Sequence, residues 1–340
     1  MNINYYTICW GKEYSDFLFN ISLKSFFSNK FKHNNYVHKV FIYTNYPYKI
    51  SKKFFKNIKN LKNKHVQIEI INFKNEINLF KKKKNRTIWR FLGNFQKKAL
   101  KHAKKNNAMA SFIYPDEVHS ENLSNLIIDK INYHDFVFTP SNEIYLKDFK
   151  KMKLKNFSEK NLLKLKSQKL ENYNKKDFFN YNFYTFHQTR IYFKVGKSIF
   201  YKSIHISPII MNPKKINDID KIYTLDATLN YSKNSYIVNP EKGLLLSLEK
   251  KKIDLTRNFK HTNNYFKLFL LRLFYCIGYN IKSISGINPY LYLKTYKVHN
   301  NKSLKISLKK IILFDVFFFK VFLFSLIIKI VYNLKKKLSF

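Results

Sequence analysis

The 340 residues carry 64 Lys and Arg against 21 Asp and Glu, a formal net charge of +43, with 45% hydrophobic residues. So large an apolar fraction excludes a disordered chain, and the length allows one large or two ordinary domains. Two cysteines, Cys9 and Cys276, lie far apart and make no metal-like spacing, which fits a reducing compartment.

Residues 3 to 10, INYYTICW, predict a first strand, with Gly11 at its end where the chain must turn tightly or approach a ligand closely. No basic segment followed by an apolar core precedes a cleavage site, so no secretory signal is expected and the setting is cytoplasmic. Apolar residues at helical spacing from Ser15 to Phe27 predict a helix, and 37 to 45 and 65 to 73 predict two more strands. The lysine run Lys81 to Lys84 suits a solvated loop. Phe95 to Lys105 predicts a helix that leads into the most informative stretch, AMASFIYPDEVHSENLSNLI (108 to 127). There a short apolar run closes at Pro115, Asp116 follows at once, and Ser120 precedes a helical pattern. Strand, helix, strand, helix, strand is a doubly wound α/β pattern, which places ligands at the carboxyl ends of its strands. Asp116 is therefore the leading site candidate, although Asp116 and Ser120 also suit a turn and a helix cap.

This arrangement resembles glycosyltransferases of the GT-A type, whose signature is an apolar strand, Asp-x-Asp, an apolar residue and a helix. With Asp116 as the second aspartate, Val118 and Leu123 stand at the apolar positions and Tyr114 stands where the first aspartate would be. The resemblance implies a Rossmann-like α/β sheet with helices on both faces. It also implies a nucleotide-sugar donor and a manganese or magnesium ion at Asp116. On the same analogy, Thr7, Cys9 and Gly11 at the first strand's end, with Tyr43 and Thr44 at the second's, line the pocket for base and ribose.

Residues 134 to 140 predict a further strand, and 147 to 180 predict helices over one face of the sheet. The second half then turns aromatic and β-branched, punctuated by Gly196 and Pro208, and predicts strands. It holds His205, Ser207 and Pro208, followed by Asp226. The resemblance extends here to members that pair a P-D-x-V-x-S element with a later His-x-His-Pro and an aspartate. Ser207 replaces the second histidine, leaving His205 and Asp226 as catalytic candidates, with Asp226 suited to accept an acceptor hydroxyl's proton.

The boundaries expected are a transferase domain over 1–260 and a hydrophobic, basic, membrane-associating region over 261–340. Residues 311 to 334 reach the length needed to cross a bilayer core of roughly 30 Å. Lys320 in mid-segment instead favours a helix lying on the cytoplasmic face of a membrane, and a core helix is the alternative. The dispersed lysines make no zinc-finger, RNP-like or recognition-helix unit, so no specific nucleic acid is expected as a partner. They are expected to attract anionic lipid at roughly 1 kcal/mol per basic residue close to the surface. The expected activity is transfer of a sugar from a nucleotide-activated donor to a glycan or lipid-linked acceptor. A non-catalytic glycan-binding or polysaccharide-assembly protein of the same fold is the alternative, and a basic nucleic-acid binder is a third.

Overall fold

The computed structural model describes residues 2–27, 36–45, 66–82, 88–140, 142–146, 149, 157–168, 174–178, 181–187, 190–195, 198–203, 206–222, 225, 234–249 and 295–299, with nine helical positions between 316 and 334. The chain divides into two units, Met1–Leu162 with Ser207–Glu249, and Leu163–Ile206 with Lys250–Phe340.

The first unit is built on β1 (Asn2–Cys9), in which every residue from Ile3 onward is buried. Burial on both faces is what a central parallel strand requires. Adjacent residues point to opposite faces, and the tyrosine pair shows both faces covered. The Tyr5 ring meets Phe26 of α2 (Leu23–Phe27) at 4.8 Å, whereas the Tyr6 hydroxyl meets His102 Nδ1 of α4 (Ile88–Lys105) at 2.8 Å. Between α1 (Gly11–Phe17) and α2 the backbone runs as a π-helical segment, Leu18–Ser22.

β2 (Val37–Thr44), β3 (Val66–Asn72) and β4 (Ala108–Phe112) complete the parallel centre: β2 pairs with β1 and β3, and β4 with β1 on its other side. The short α3 (Lys74–Lys82) follows β3. With β5 (Glu117–His119), α5 (Leu123–Ile131), β6 (Phe136–Pro140), β7 (Asn142–Tyr145), α6 (Glu159–Gln168) and β8 (Asn174–Phe178), the chain leaves the first unit. The helices expected over 147–180 are thus represented among the described residues by α6, and β8 is a strand. β9 (Tyr181–His187), β10 (Arg190–Val195), β11 (Ser198–Ser203) and β15 (Thr295–His299) join β8 in an antiparallel sheet ordered β15-β11-β10-β9-β8. This sheet accounts for the expected strand-rich second half.

The chain re-enters the first unit as β12 (Ile206–Met211), antiparallel to β4, and continues through β13 (Ser235–Ile237) and β14 (Leu245–Glu249). The main sheet is then seven-stranded, β13-β6-β12-β4-β1-β2-β3, and mostly parallel, which fits the expected Rossmann-like α/β sheet. A small sheet, β5-β14-β7, stands apart from it. Tyr6, Phe136, Phe138 and Ile3 are the largest fully buried side chains of the first unit, and each contributes roughly 1.5–3 kcal/mol of burial. The expected C-terminal hydrophobic helix is not shown as an element: between 316 and 334 the described residues are nine helical positions.

Candidate functional site

Strand order runs outward from β1 through β2 to β3 and then returns to the other side of β1 with β4, so the order reverses between β1 and β4. In open α/β sheets the crevice outside the carboxyl ends of the strands at that reversal is where ligands bind. Here those ends carry Trp10 and Gly11 on one strand and Ile113 to Asp116 on the other. Ile113 N–H donates to the Tyr6 carbonyl at 2.9 Å and carries the pairing one residue past β4.

Gly11 has a φ of 71°, in the left-handed region that favours glycine. A side chain added there would meet nothing within 4 Å, so its backbone faces open space. Its N–H donates to Asn45 Oδ1 at 3.1 Å, which ties the end of β1 to the residue after β2.

The Asp116 turn is held from several sides. Tyr114 N–H donates to Glu117 Oε2 at 3.0 Å, so the Glu117 carboxylate, 6% exposed, is turned inward onto the backbone of the turn. The Asp116 carbonyl accepts from Leu248 N–H at 2.7 Å, and this bond anchors the turn to β14. Two hydroxyls from the first helical segment clamp its two sides: Ser22 Oγ donates to the Tyr114 carbonyl at 2.8 Å, and Ser25 Oγ accepts from His119 N–H at 3.0 Å. Ser25 in turn donates to the Ser22 carbonyl at 2.8 Å. Ser22 closes the π-helical segment, a geometry frequent at functional sites.

His119 is 3% exposed, and burial pushes its imidazole down to about 3. Its Nε2 lies 3.9 Å from Glu117 Oε2. A neutral imidazole at that separation makes no ion pair.

Ser120 does not cap the following helix with its side chain: Leu244 N–H donates to Ser120 Oγ at 2.8 Å, and Asn122 is the N-cap residue of α5. The nearby backbone of β14 outcompetes the capping position. Val118 and Leu123, expected to be apolar anchors, are both fully buried.

The other pocket candidates divide. Thr7, Cys9 and Thr44 are buried at 1%, 0% and 1% exposure, and Cys9 lies opposite Thr44 in the strand register. Burial raises the Cys9 thiol above its ordinary value, against hydrogen bonds from Thr44 and from Ser15 Oγ at 3.7 Å. Tyr43 packs edge-on against Phe73 and Phe95 at 5.4 and 5.1 Å. Gly11 has open space at its α-carbon. His205 and Asp226 lie outside the described residues, as does Ser141.

A residue that sequence reasoning missed ties this region together. Gln96 Nε2 donates to the Tyr114 hydroxyl at 2.6 Å, while Gln96 Oε1 accepts from Leu225 N–H at 3.1 Å. The residue preceding Asp226 is thus fixed by the same amide that fixes Tyr114. Its one sequence signal is a polar residue, here 4% exposed, placed between Phe95 and Ala99 on a helix whose inner face is apolar.

The resemblance to GT-A enzymes implies a cation at Asp116. Among the described residues, no group of three or more His, Cys, Asp or Glu is placed to hold a metal ion. With Tyr114 in place of the first aspartate and Glu117 turned into the backbone, the described donors do not fit a chelated cation.

No family model matches the chain, and no curated protein does. Among solved structures, S. aureus TarS 1-349 in complex with UDP-GlcNAc is similar at 8% identity and a TM-score of 0.38, over 85% of this chain and 73% of that one. The UDP complex of the same fragment is similar at 9% identity and a TM-score of 0.33, over 85% and 72%. A longer TarS structure is matched over 42% of this chain, at 12% identity and a TM-score of 0.29; the match spans about a fifth of its length, 22%. Likenesses this distant establish neither a shared substrate nor a shared mechanism.

Proposed function

We propose that the chain is a glycosyltransferase that moves a sugar from a nucleotide-activated donor to a glycan or lipid-linked acceptor. One observation carries the reading: Gly11, with open space at its α-carbon, and the clamped Asp116 turn end adjacent strands at the point where the sheet's order reverses. An open glycine backbone admits a diphosphate closely, and a carboxylate accepts hydrogen bonds from ribose or sugar hydroxyls. Asp226 is assigned as the general base, and His205 is kept as a separate catalytic candidate. In the transfer, the acceptor hydroxyl oxygen bonds to the anomeric carbon, the bond from that carbon to the diphosphate oxygen breaks, and the hydroxyl proton passes to Asp226. The nucleoside diphosphate leaves with the bonding electron pair.

The inward turn of Glu117 favours a second reading, a non-catalytic glycan-binding protein of the same fold, because it leaves the turn with a single outward carboxylate candidate. Titrating the purified chain with uridine- and guanosine-diphosphate sugars, with and without manganese, and following product separates the two. Binding with turnover supports the transferase, binding without turnover supports the second reading, and no binding overturns the transferase.

We place the work on a cytoplasmic membrane face. Val316, Leu323, Phe324, Ile327, Ile330 and Leu334 are helical, fall on one face at 3.6 residues per turn and are 40% to 59% exposed. An exposed apolar stripe beside Lys320, in so basic a chain, is the makeup of a helix lying in an interface. Among the described residues no helix is long and apolar enough to cross a membrane.

A further inference from the structure

The first unit holds a second feature with ligand chemistry, lined by none of the residues of the Asp116 turn. Between α3 and α4 lies a cavity of about 390 Å³, within the range of small-molecule sites. Its floor is aromatic: Phe80 stacks on Phe91 at 4.6 Å, and Phe73 and Phe95 stand beside them at 6.5 Å from each other. Its rim is charged, with Lys97, Lys98 and Lys101 set against Glu76 and Asp220. Asp220 is occupied by Lys101 at 2.6 Å, whereas Lys98 holds its ammonium 5.7 Å above the Phe73 ring. Leu79, also in the lining, is 58% exposed, and Ile88 at the start of α4 is 42% exposed.

The two halves of this lining ask for two kinds of group. Four phenyl rings offer nothing to a polar ligand and hold apolar carbon by burial. The ammonium groups at the mouth favour a negative charge, and Lys97 and Lys98 are the rim cations that Asp220 does not neutralise. Exposed Leu79 and Ile88 cost nothing further if the mouth faces a lipid surface. We propose that this cavity takes one apolar chain of an anionic membrane lipid, its phosphate-type head held at Lys97 and Lys98. This site would anchor the first unit to a membrane independently of the apolar stripe near residue 324, and it does not depend on sugar transfer. Phe91 meets Trp10 edge-on at 5.8 Å, and Trp10 directly precedes Gly11. A chain seated against Phe91 therefore reports through tryptophan emission.

The test uses the full chain and dodecyl phosphate below its micelle concentration, followed by calorimetry. Dodecyl maltoside serves as the same chain with a neutral head, and inorganic phosphate as the head alone. One equivalent of dodecyl phosphate should bind saturably, the maltoside at least tenfold more weakly, and inorganic phosphate not at all. Leu79→Glu, and separately Lys97→Glu with Lys98→Glu, should weaken dodecyl phosphate at least tenfold while leaving the unfolding midpoint and nucleotide-sugar binding unchanged. Nitroxide-labelled phosphatidylglycerol in vesicles should quench tryptophan emission in the parent chain and less in both variants. Equal binding of the neutral detergent, non-saturating uptake, or indifference to both variants overturns the proposal. A free fatty acid that binds saturably while vesicle lipid gives no quenching overturns the membrane source.

Discussion

Lowering the pH from about 7 to about 5 should destabilise the first unit by about 2 kcal/mol through a single buried imidazole, that of His119. Its pKa falls from the ordinary 6.5 to about 3 because burial disfavours the charged ring. Below 6.5 the unfolded chain takes up a proton that the folded chain refuses, so the stability present above 6.5 is lost as the pH falls toward 3. Each pH unit in that window costs about 1.4 kcal/mol, and the roughly 1.5 units between 6.5 and 5 give the figure above. His102, whose pKa is also lowered by burial, acts in the same direction but is only partly covered, so it adds a smaller slope. The consequence reaches function, because His119 N–H is one side of the clamp on the Asp116 turn. The assay is urea denaturation of the parent, His119→Gln and His102→Gln at half-unit intervals from pH 7 to pH 5. His119→Gln should flatten the slope by about 1 kcal/mol per pH unit, and His102→Gln by less. An unchanged slope in His119→Gln would refute a neutral buried histidine at this turn.

Three further substitutions probe the fold and the site. Gly11→Ala meets no neighbouring atom, so its cost should be the left-handed backbone alone, about 1–2 kcal/mol, while its methyl enters the open space and weakens nucleotide-sugar binding at least tenfold; denaturation and calorimetry on one preparation check both, and intact binding shows that the space is unused. Gly243→Ala places a carbon 3.0 Å from Leu123 Cδ1 and 3.3 Å from Leu123 Cα, so it should destabilise by about 1–3 kcal/mol in a melt, and a neutral result would mean that α5 and the turn before β14 shift freely. Phe324→Glu with Ile327→Glu changes exposed side chains, so the unfolding midpoint should hold while sedimentation with anionic vesicles falls severalfold; unfolding would instead favour a core role for that helix.

Much of the first unit was legible because its signals are local. The runs at 3–10, 37–45 and 109–114 are mostly apolar and 65–73 alternates before running apolar, and β1 to β4 lie there within a residue or two. The inward turn of Glu117 was also legible, since it neighbours Asp116 on an extended chain and must point elsewhere. What escaped is non-local. Ser120 carries a capping signature, yet β14, more than a hundred residues later, claims its hydroxyl. The antiparallel insertion of β12 beside β4 depends on the chain returning after the whole β8–β11 sheet, and no window of sequence encodes that return. Ser22, Ser25 and Gln96 serve the site by bonds spanning 92, 94 and 129 residues, for which a single sequence holds no signal.

The central claim is that the Asp116 carboxylate serves a sugar-nucleotide site at the reversal of the sheet. Asp116→Asn keeps the shape and removes the charge, and the anchoring bond uses the Asp116 carbonyl, so the fold should survive. The decisive measurement is sugar-nucleotide affinity and turnover in this variant and its parent, with the unfolding midpoint as a control. The account predicts an unchanged midpoint and a loss of at least tenfold in affinity or turnover, while an initially active protein that loses nothing contradicts it.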